Sequence, residues 1–456
     1  MSPPIPLGSS GKADPPPVGN RALEECPGTP SREHRRHRRE LRLIRGAFFI
    51  FIAGDAFSNA FLPVHARNLP LAWPGLTQEV ASGLPVSAFW LMVAAAQLTT
   101  GLWERGRNHR TLILAAMVLS GTGLALAGLA GTVHELILWR GASGFGYGIV
   151  MILAQDGILR TMGPEARTQA SGKYLSAFFA GTICGTLAGS AIADAAGFAN
   201  AFFAAAAVTA CAMILTLFLE AHCETEPRQP FRPLVLLRNP RVVALVAFAA
   251  VPSRLLIAAF LYYLLPLYLH DAEASPTETA RIVMIYSLIL ALTATAWSRL
   301  VDSTGRPMLF TSAGIVLSAA SMMIIPVWGP GGDGAALSGM AAAVAAVALL
   351  GTSQAIGMSP QVTVLFRVAR AEIDRFGRTP VLGIYRVCER VGLFVGPMAA
   401  AWLVGGYGYG PALAALGVLA ALSATALLAA FALAPTPLPE GLAARPDEAS
   451  EQETTV

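Results

Sequence analysis

Residues 381–406, with the sequence VLGIYRVCERVGLFVGPMAAAWLVGG, have the length and apolar character of a transmembrane helix. About twenty apolar residues are enough to cross the hydrocarbon core of a bilayer. Arg386, Glu389 and Arg390 nevertheless lie together in the first half of this stretch. A charged side chain at the bilayer centre costs about 2.5 kcal/mol or more, so three of them in one span indicate either a function or a neutralised cluster.

The rest of the chain has the composition of an integral membrane protein. Only 13% of its 456 residues are charged and its mean hydropathy is +0.57, whereas soluble proteins contain about 25% charged residues. The apolar runs predict an all-α fold with twelve transmembrane helices, numbered here as spans 1 to 12. The spans are expected near 43–63, 85–103, 111–132, 134–159, 172–193, 200–219, 241–267, 280–300, 308–328, 336–358, 380–404 and 411–434.

The placement of Lys and Arg predicts the orientation, because the cytoplasmic loops of membrane proteins are enriched in both residues. Of the 32 Lys and Arg residues, 26 lie in the tails and the even-numbered loops, while only Arg67 and Arg281 lie in odd-numbered loops. Both termini are therefore expected in the cytoplasm, with the chain in the cell inner membrane. The predicted divisions are a disordered basic cytoplasmic tail (1–42), a first six-helix half (43–219), a cytoplasmic middle loop (220–240), a second six-helix half (241–434) and an acidic cytoplasmic tail (435–456).

The basic run SREHRRHRRELRLIR at 31–45 directly precedes span 1, which favours an anchor on anionic lipid over a nucleic-acid site. The Pro-rich stretch before it is typical of disorder and lacks the apolar core of a cleavable signal peptide. The five cysteines and seven histidines show no metal-ligand spacing, and the chain has no G-x-x-x-x-G-K-[ST] loop. We therefore expect no metal, no cofactor and no ATP-driven transport.

Two predicted cytoplasmic loops have related sequences. SRLVDSTGRP (298–307) follows span 8 and GLWERGRNHR (101–110) follows span 2, so each follows the second helix of a six-helix half. Both combine an acidic residue with arginines in a tight turn. An internal repeat of this kind is typical of secondary transporters.

The loop after span 8 resembles the G-x-L-x-D-x-x-G-R-[RK] signature of the major facilitator superfamily. Asp302, Gly305 and Arg306 occupy matching positions. The loop after span 2 is a weaker copy, in which Arg110 matches and Glu104 lies one residue before the acidic position. The resemblance implies that these residues form a cytoplasmic gate.

Two further segments carry the resemblance, which covers roughly 43–434. In span 4, LWRGASGFG (138–146) is similar to the R-x-x-x-G-x-G segment of this family, beginning at Arg140. In span 5, GTICGTLAGS (181–190) resembles the G-x-x-x-G-P-x-x-G-G signature of its exporting antiporter branch. The matching glycines are Gly181, Gly185 and Gly189. Glycine at every fourth position also allows close approach of a neighbouring helix.

The resemblance implies the fold of this superfamily, in which two six-helix halves are related by a pseudo-two-fold axis. In this family spans 1, 4, 7 and 10 line the central path, so Asp55, Arg140 and Arg254 are expected there by resemblance. Span 11 lies close behind. Asp156, at the cytoplasmic end of span 4, is expected to pair with Arg110 within the gate.

Spans 1 and 11 each carry a polar face. Asp55, Ser58 and Asn59 are spaced at i, i+3 and i+4, and the span-11 charges repeat that spacing. Lipid does not tolerate such faces, so both should point to a shared cavity. Asp55 has no basic residue one helical turn away, and an isolated carboxyl in low dielectric favours its protonated form. We therefore predict that Asp55 carries a coupling proton, with Glu389 as the second candidate.

The buried arginines have structural alternatives. The span-11 charges equally fit a neutralised cluster that locks this helix to a neighbour. Arg140 and Arg254 either contact substrate or satisfy carbonyl groups or a carboxylate of another span. The residues predicted for the substrate cavity are Asn59, Arg140, Arg254, Arg386 and Arg390.

Taken as a whole, the sequence predicts a monomeric, proton-coupled exporter of a small organic solute. Its expected partners are the solute, protons and the lipid bilayer, and not nucleic acid. Four arginines but only two central acids in the spans favour an anionic solute. A proton-linked uptake symporter and a non-transporting receptor stay as alternatives, whereas an enzyme is disfavoured because the sequence shows no nucleophile–base set.

Overall fold

The computed structural model describes residues 32–71, 73, 75–103, 107–162, 167–220, 236, 238–328 and 335–433. Within these ranges the chain is almost entirely helical, and eleven stretches are long and apolar enough to cross a membrane. The helices that contain them are Gln78–Trp103 (span 2), His109–Gly128 (span 3), Val133–Met162 (span 4), Arg167–Ala196 (span 5), Phe198–Leu217 (span 6), Pro240–Asp271 (span 7), Pro276–Thr304 (span 8), Pro307–Trp328 (span 9), Ala335–Val368 (span 10), Arg378–Tyr407 (span 11) and Tyr409–Leu433 (span 12). A short helix, Arg370–Phe376, precedes span 11.

Span 1 differs from the continuous helix that the sequence predicts. Its first helix, Arg32–Ala56, ends early, and a turn at 57–61 leads into a short second helix, Leu62–Asn68. Backbone hydrogen bonds in the turn join residues three apart, such as Asn59 N to Ala56 O at 3.2 Å. Pro63 favours the break, because it has no N–H for the Asn59 carbonyl and its ring displaces that carbonyl. The prediction of one unbroken helix to residue 63 is therefore wrong.

The start of the same helix corrects the predicted tail boundary. The composition of residues 1–42 predicts a disordered tail, but the helix of span 1 already begins at Arg32. Arg36 in its first turns contacts the residue at the start of the middle loop, because its guanidinium donates to the Glu220 carboxylate at 2.7 Å. Residues 1–31, most of the middle loop and the acidic tail lie outside the described residues, so those assignments stay predictions.

Span 7 is helical from Pro240 to Asp271 but contains two π-helical segments, Val246–Ala250 and Ile257–Leu264. Each segment is followed two residues later by a proline. Proline cannot donate to the carbonyl four residues before it, and the wider hydrogen-bond spacing of a π-helix accommodates this loss. Arg254 lies between the two segments and Tyr262 lies in the second, so the irregular backbone positions both side chains.

The two halves meet along two helix pairs, span 2 with span 11 and span 5 with span 8. We call the end of the bundle where span 7 finishes the distal end, and the end where span 8 joins span 9 the basic end. The loop predicted at 298–307 is helical up to Thr304. Several hydrogen bonds between the halves lie at the distal end. They join Arg67 Nη1 to Asp271 Oδ2 (3.0 Å), Tyr263 OH to Glu79 O (2.7 Å) and Thr277 N to Asp194 Oδ2 (3.0 Å). The distribution of Lys and Arg predicts that the distal end faces away from the cytoplasm.

Candidate functional site

Asp55 and Arg140 form an ion pair in the interior of the first half. Arg140 Nη1 lies 3.4 Å from Asp55 Oδ1, and the two side chains are 3% and 9% exposed. The same nitrogen donates to Ser143 Oγ at 3.3 Å, and the Arg140 guanidinium lies over the Phe89 ring. A charge-assisted hydrogen bond is usually about 2.7–2.9 Å long, so this pair is loosely made. The sequence left open whether Arg140 contacts substrate or pairs with a group of another span. The structure shows that it pairs with a carboxylate of span 1.

The break in span 1 places the Ala56 carbonyl and the Asn59 side chain next to Thr186 of span 5, close to this pair. Thr186 of span 5 donates from Oγ1 to the carbonyl of Ala56 at 3.4 Å, where the first helix ends. The Asn59 amide nitrogen lies 3.5 Å from Thr186 Oγ1. Asn59 therefore faces span 5 and the cavity, and not lipid. Discontinuous helices of this kind form binding sites near the bilayer centre in many transporters.

A second charged cluster lies in the other half, on spans 7 and 11. Glu389 accepts from Arg386 Nη1 at 3.0 Å through Oε2, which is the pairing expected from their spacing along span 11. Its other oxygen, Oε1, lies 3.4 Å from Arg254 Nη2 of span 7. The Glu389 side chain is only 6% exposed, whereas that of Arg386 is 37% exposed. Glu389 is thus held between two arginines from two helices.

Arg390 has different surroundings, although it follows Glu389 directly. Its Nε donates to Gln97 Oε1 of span 2 at 3.3 Å, and its guanidinium carbon lies 5.2 Å from the centroid of the Trp90 ring. Gln97 and Trp90 belong to the first half and Arg390 to the second. Arg390 therefore joins the two halves.

A cavity lies beside the Asp55–Arg140 pair and is lined mainly by the first half, with Tyr262 from the second. Its wall includes Asp55, Asn59, Trp90, Arg140 and Tyr262. Arg254, Arg386 and Arg390, which the sequence predicts for the cavity, are not among its lining residues in this structure. The cavity has a volume of about 40 Å³, which is enough for about three waters at 10–15 Å³ each. Pockets for drug-sized ligands occupy about 300–1,000 Å³, so the cavity must widen before it can hold such a solute.

Trp90 and Gln97 are site residues that sequence reasoning did not identify. They lie seven residues apart on span 2, which places them two turns apart on one face of the helix. An aromatic and an amide residue on one face of an otherwise small and apolar span are a sequence signal for a site. Their partner on span 11, Arg390, cannot be predicted from the spacing of residues within either helix.

The glycines of span 5 pack against the backbone of span 1. A Cβ atom on Gly185 would lie 2.1 Å from the Ala53 carbonyl oxygen, and one on Gly189 would lie 2.3 Å from the Cα of Phe57. A Cβ on Gly181 would lie 2.7 Å from the Phe49 carbonyl oxygen. These three positions flank Asp55, so the glycine face of span 5 determines where that carboxyl lies.

The predicted gate residues lie at the basic end. Gly305 ends span 8 in the left-handed conformation, with φ of 65°, and its carbonyl accepts from Arg367 at 3.4 Å. Asp302 and Arg306 are exposed, and within the described ranges no hydrogen bond or ion pair holds the Asp302 carboxylate. The side chain of Glu104 lies outside the described residues.

Two further gate candidates make contacts within the first half. Asp156 forms an ion pair with Arg160, one turn later on span 4, at 2.7 Å. Arg110 Nη1 lies 3.3 Å from the carbonyl oxygen of Leu219. The predicted pairing of Asp156 with Arg110 stays a prediction.

Replacement of Asp302 by Asn is expected to slow transport about tenfold, because a charge-assisted hydrogen bond lost from a closing gate is worth about 1.5–3 kcal/mol. Since the carboxylate has no partner in the described residues, the melting temperature of the purified protein should not change. Asp374→Asn, which alters an exposed acid on the short helix before span 11, is the matched control. Equal turnover numbers for wild type and Asp302→Asn would contradict a gating role for this loop.

Comparisons with known proteins agree with this architecture. A family model described as the Major Facilitator Superfamily matches residues 46–373. The chain is similar to the multidrug resistance protein MdtG of Escherichia coli, in strains O1:K1 and K12 among others, with 27% identity over 200 residues. That match covers 42% of this chain and 46% of MdtG, so it spans about half the length of the relative.

Two solved structures share the fold. One is a POT family transporter in complex with 5-aminolevulinic acid, with a TM-score of 0.67 and 12% identity over 86% of this chain and 96% of that chain. The other is the human organic anion transporter MFSD10 (TETRAN), with a TM-score of 0.55 and 18% identity over 86% of this chain and 99% of that chain. At these identities the likeness establishes the fold alone.

Proposed function

The chain belongs to the Major Facilitator Superfamily of membrane transporters, and from this membership we propose that it exports a small organic anion in exchange for protons. The six-helix halves rock about the central cavity, which opens alternately to the two sides of the membrane. The chain works as a monomer in the cell inner membrane, with both termini and the basic end in the cytoplasm.

The observation that carries the proton-coupling proposal is the loose, buried ion pair between Asp55 and Arg140. Protonation of Asp55 removes the carboxylate charge and leaves Arg140 without its partner. The pair lies on the cavity wall beside the break in span 1, so each rocking step changes the access of water to it. A carboxyl whose surroundings differ between two access states takes up a proton in one state and releases it in the other.

The arginines of the second half support an anionic solute. Arg254 and Arg386 share the single carboxylate of Glu389, and Arg390 contacts only the neutral amide oxygen of Gln97 among hydrogen-bond acceptors of the described residues. An uncompensated positive charge inside the membrane is costly, and an anion in the cavity would reduce that cost. The similarity to a multidrug resistance protein supports a small organic solute.

The direction of pumping tests this proposal. The probe is 2-naphthalenesulfonate, which stays anionic at every working pH and so does not follow a pH gradient through lipid as a neutral acid. Inverted membrane vesicles with an acidic lumen should accumulate it only when they contain the chain, and collapse of the gradient should abolish accumulation. Accumulation in energised intact cells would instead support the uptake symporter, and transport indifferent to the gradient would overturn proton coupling.

A further inference from the structure

The charged cluster of the second half carries an excess of positive charge. Both oxygens of Glu389 already have a partner, since Oε1 faces Arg254 at 3.4 Å and Oε2 accepts from Arg386 at 3.0 Å. Within the part of the chain that the structure describes, Arg390 forms no ion pair with a carboxylate. Its charge is therefore left for water or for a bound anion to compensate.

The contacts that Arg390 does make are weak and replaceable. Its hydrogen bond to the neutral Gln97 amide oxygen is 3.3 Å long, and a guanidinium binds a carboxylate more strongly than a neutral amide. The guanidinium carbon lies 5.2 Å from the centroid of the Trp90 ring. An anion that offers two oxygens would make a better partner than the one that Arg390 has in this structure.

The walls next to Arg390 are aromatic. The Trp90 ring lies under the guanidinium and is stacked with Tyr262 of span 7, with centroids 6.2 Å apart. Both aromatic residues line the central cavity. Planar rings pack well against such side chains and gain about 0.5–1.5 kcal/mol beyond the burial of their area.

We propose that Arg390 binds the acidic group of an aromatic monoanion, with the ring of that solute against Trp90 and Tyr262. Gln97 holds Arg390 in the empty protein, and the oxyanion of the solute replaces the Gln97 amide. This proposal rests on the proposed function and names the substrate class of its cavity. Because Gln97 and Arg390 belong to different halves, arrival of the anion also removes a contact between the halves and so favours their rocking.

Equilibrium binding to the purified full chain, without a proton gradient, tests the proposal. The probes are 2-naphthoate and its neutral analogue 2-naphthamide, which differ in charge but hardly in shape. The chain should prefer the naphthoate. Arg390→Gln should weaken naphthoate binding about tenfold to a hundredfold, the loss expected for one charge-assisted hydrogen bond, while naphthamide binding changes little. Arg281→Gln, at an exposed arginine in the first two turns of span 8, is the matched control and should change neither affinity.

A second variant keeps the test decisive if Arg390→Gln fails to fold. Gln97→Glu places a carboxylate next to Arg390 while it removes almost no atoms, so a structural role alone would not lower binding. It should reduce naphthoate affinity about tenfold or more by competing for the guanidinium, and it should leave naphthamide affinity unchanged.

Equal affinity for the two probes, or a naphthoate preference that survives both substitutions, would overturn the proposed anion site. Proton-coupled transport could still hold in that case, because the vesicle assay reports on it separately. Conversely, a naphthoate preference that depends on Arg390, in a chain that shows no gradient-driven transport, would support the anion site and overturn proton coupling.

Discussion

Asp55→Asn is expected to abolish the uphill transport of 2-naphthalenesulfonate while exchange down a concentration gradient continues. The asparagine amide has nearly the shape of the carboxyl and accepts a hydrogen bond from Arg140, so the packing around the site should persist. It cannot, however, take up and release a proton. The ion pair between Asp55 and Arg140, at 3.4 Å and almost fully buried, is then permanently broken, and the proton gradient has no group through which to act.

Reconstituted vesicles with an imposed pH gradient measure this effect directly. Asp374→Asn, at an exposed acid on the short helix before span 11, should pump like the wild type. Glu389→Gln is the informative rival, because Glu389 is the other buried acid among the residues that the structure describes. If Asp55→Asn pumps normally and Glu389→Gln does not, then span 11 carries the proton and the assignment to Asp55 is wrong.

Gly185→Ala is expected to destabilise the protein and to stop transport, although it adds a single methyl group. That methyl carbon would lie 2.1 Å from the Ala53 carbonyl oxygen and 2.8 Å from the Ala53 Cα. These are backbone atoms and cannot rotate away, so span 1 must move away from span 5. Overpacking of this kind typically costs about 1–3 kcal/mol or more. The displaced segment carries Asp55 two residues later, so the ion pair with Arg140 should be lost as well.

A second glycine on the same helix provides the control. Gly172 is exposed, and a Cβ there would meet nothing within 4 Å. Gly172→Ala should therefore raise stability slightly, because alanine favours the helix by about 1 kcal/mol over glycine. Thermal unfolding of the purified protein, together with pumping in vesicles, compares the two variants. Equal melting temperatures for Gly185→Ala and Gly172→Ala would contradict the prediction. They would mean that spans 1 and 5 leave room for a methyl group at Gly185.

The fold class and the family could be predicted from the sequence because both depend on local properties of the chain. Hydrophobic length identifies membrane helices wherever the chain is long and apolar enough, and the described residues contain eleven such stretches. Short motifs around Arg140, Gly185 and Asp302 indicated the superfamily, which the family match over 46–373 confirms. The pairing of Arg386 with Glu389 also follows from local spacing, since residues three apart on a helix are neighbours.

The irregular parts of spans 1 and 7 were harder to predict. Pro63 lies at the end of an apolar run that looks continuous, and only the structure places the break of span 1 at 57–61. Span 7 likewise looks uniform in sequence, yet it contains two π-helical segments before its prolines. A proline removes one hydrogen bond wherever it occurs in a helix, but the surrounding helices determine whether the backbone breaks, bends or widens.

By itself the sequence determined which segments are long and apolar enough to cross a membrane, which helix faces are polar and which superfamily the chain resembles. Only the tertiary structure decided the partners within the site: Arg140 for Asp55, Arg254 for Glu389, and Gln97 with Trp90 for Arg390. The hydrogen-bonded pairs among these are 85, 135 and 293 residues apart in the chain. Periodicity within one helix fixes the direction of a side chain, but the partner it meets depends on how separate helices pack, and that packing is a property of all twelve spans together.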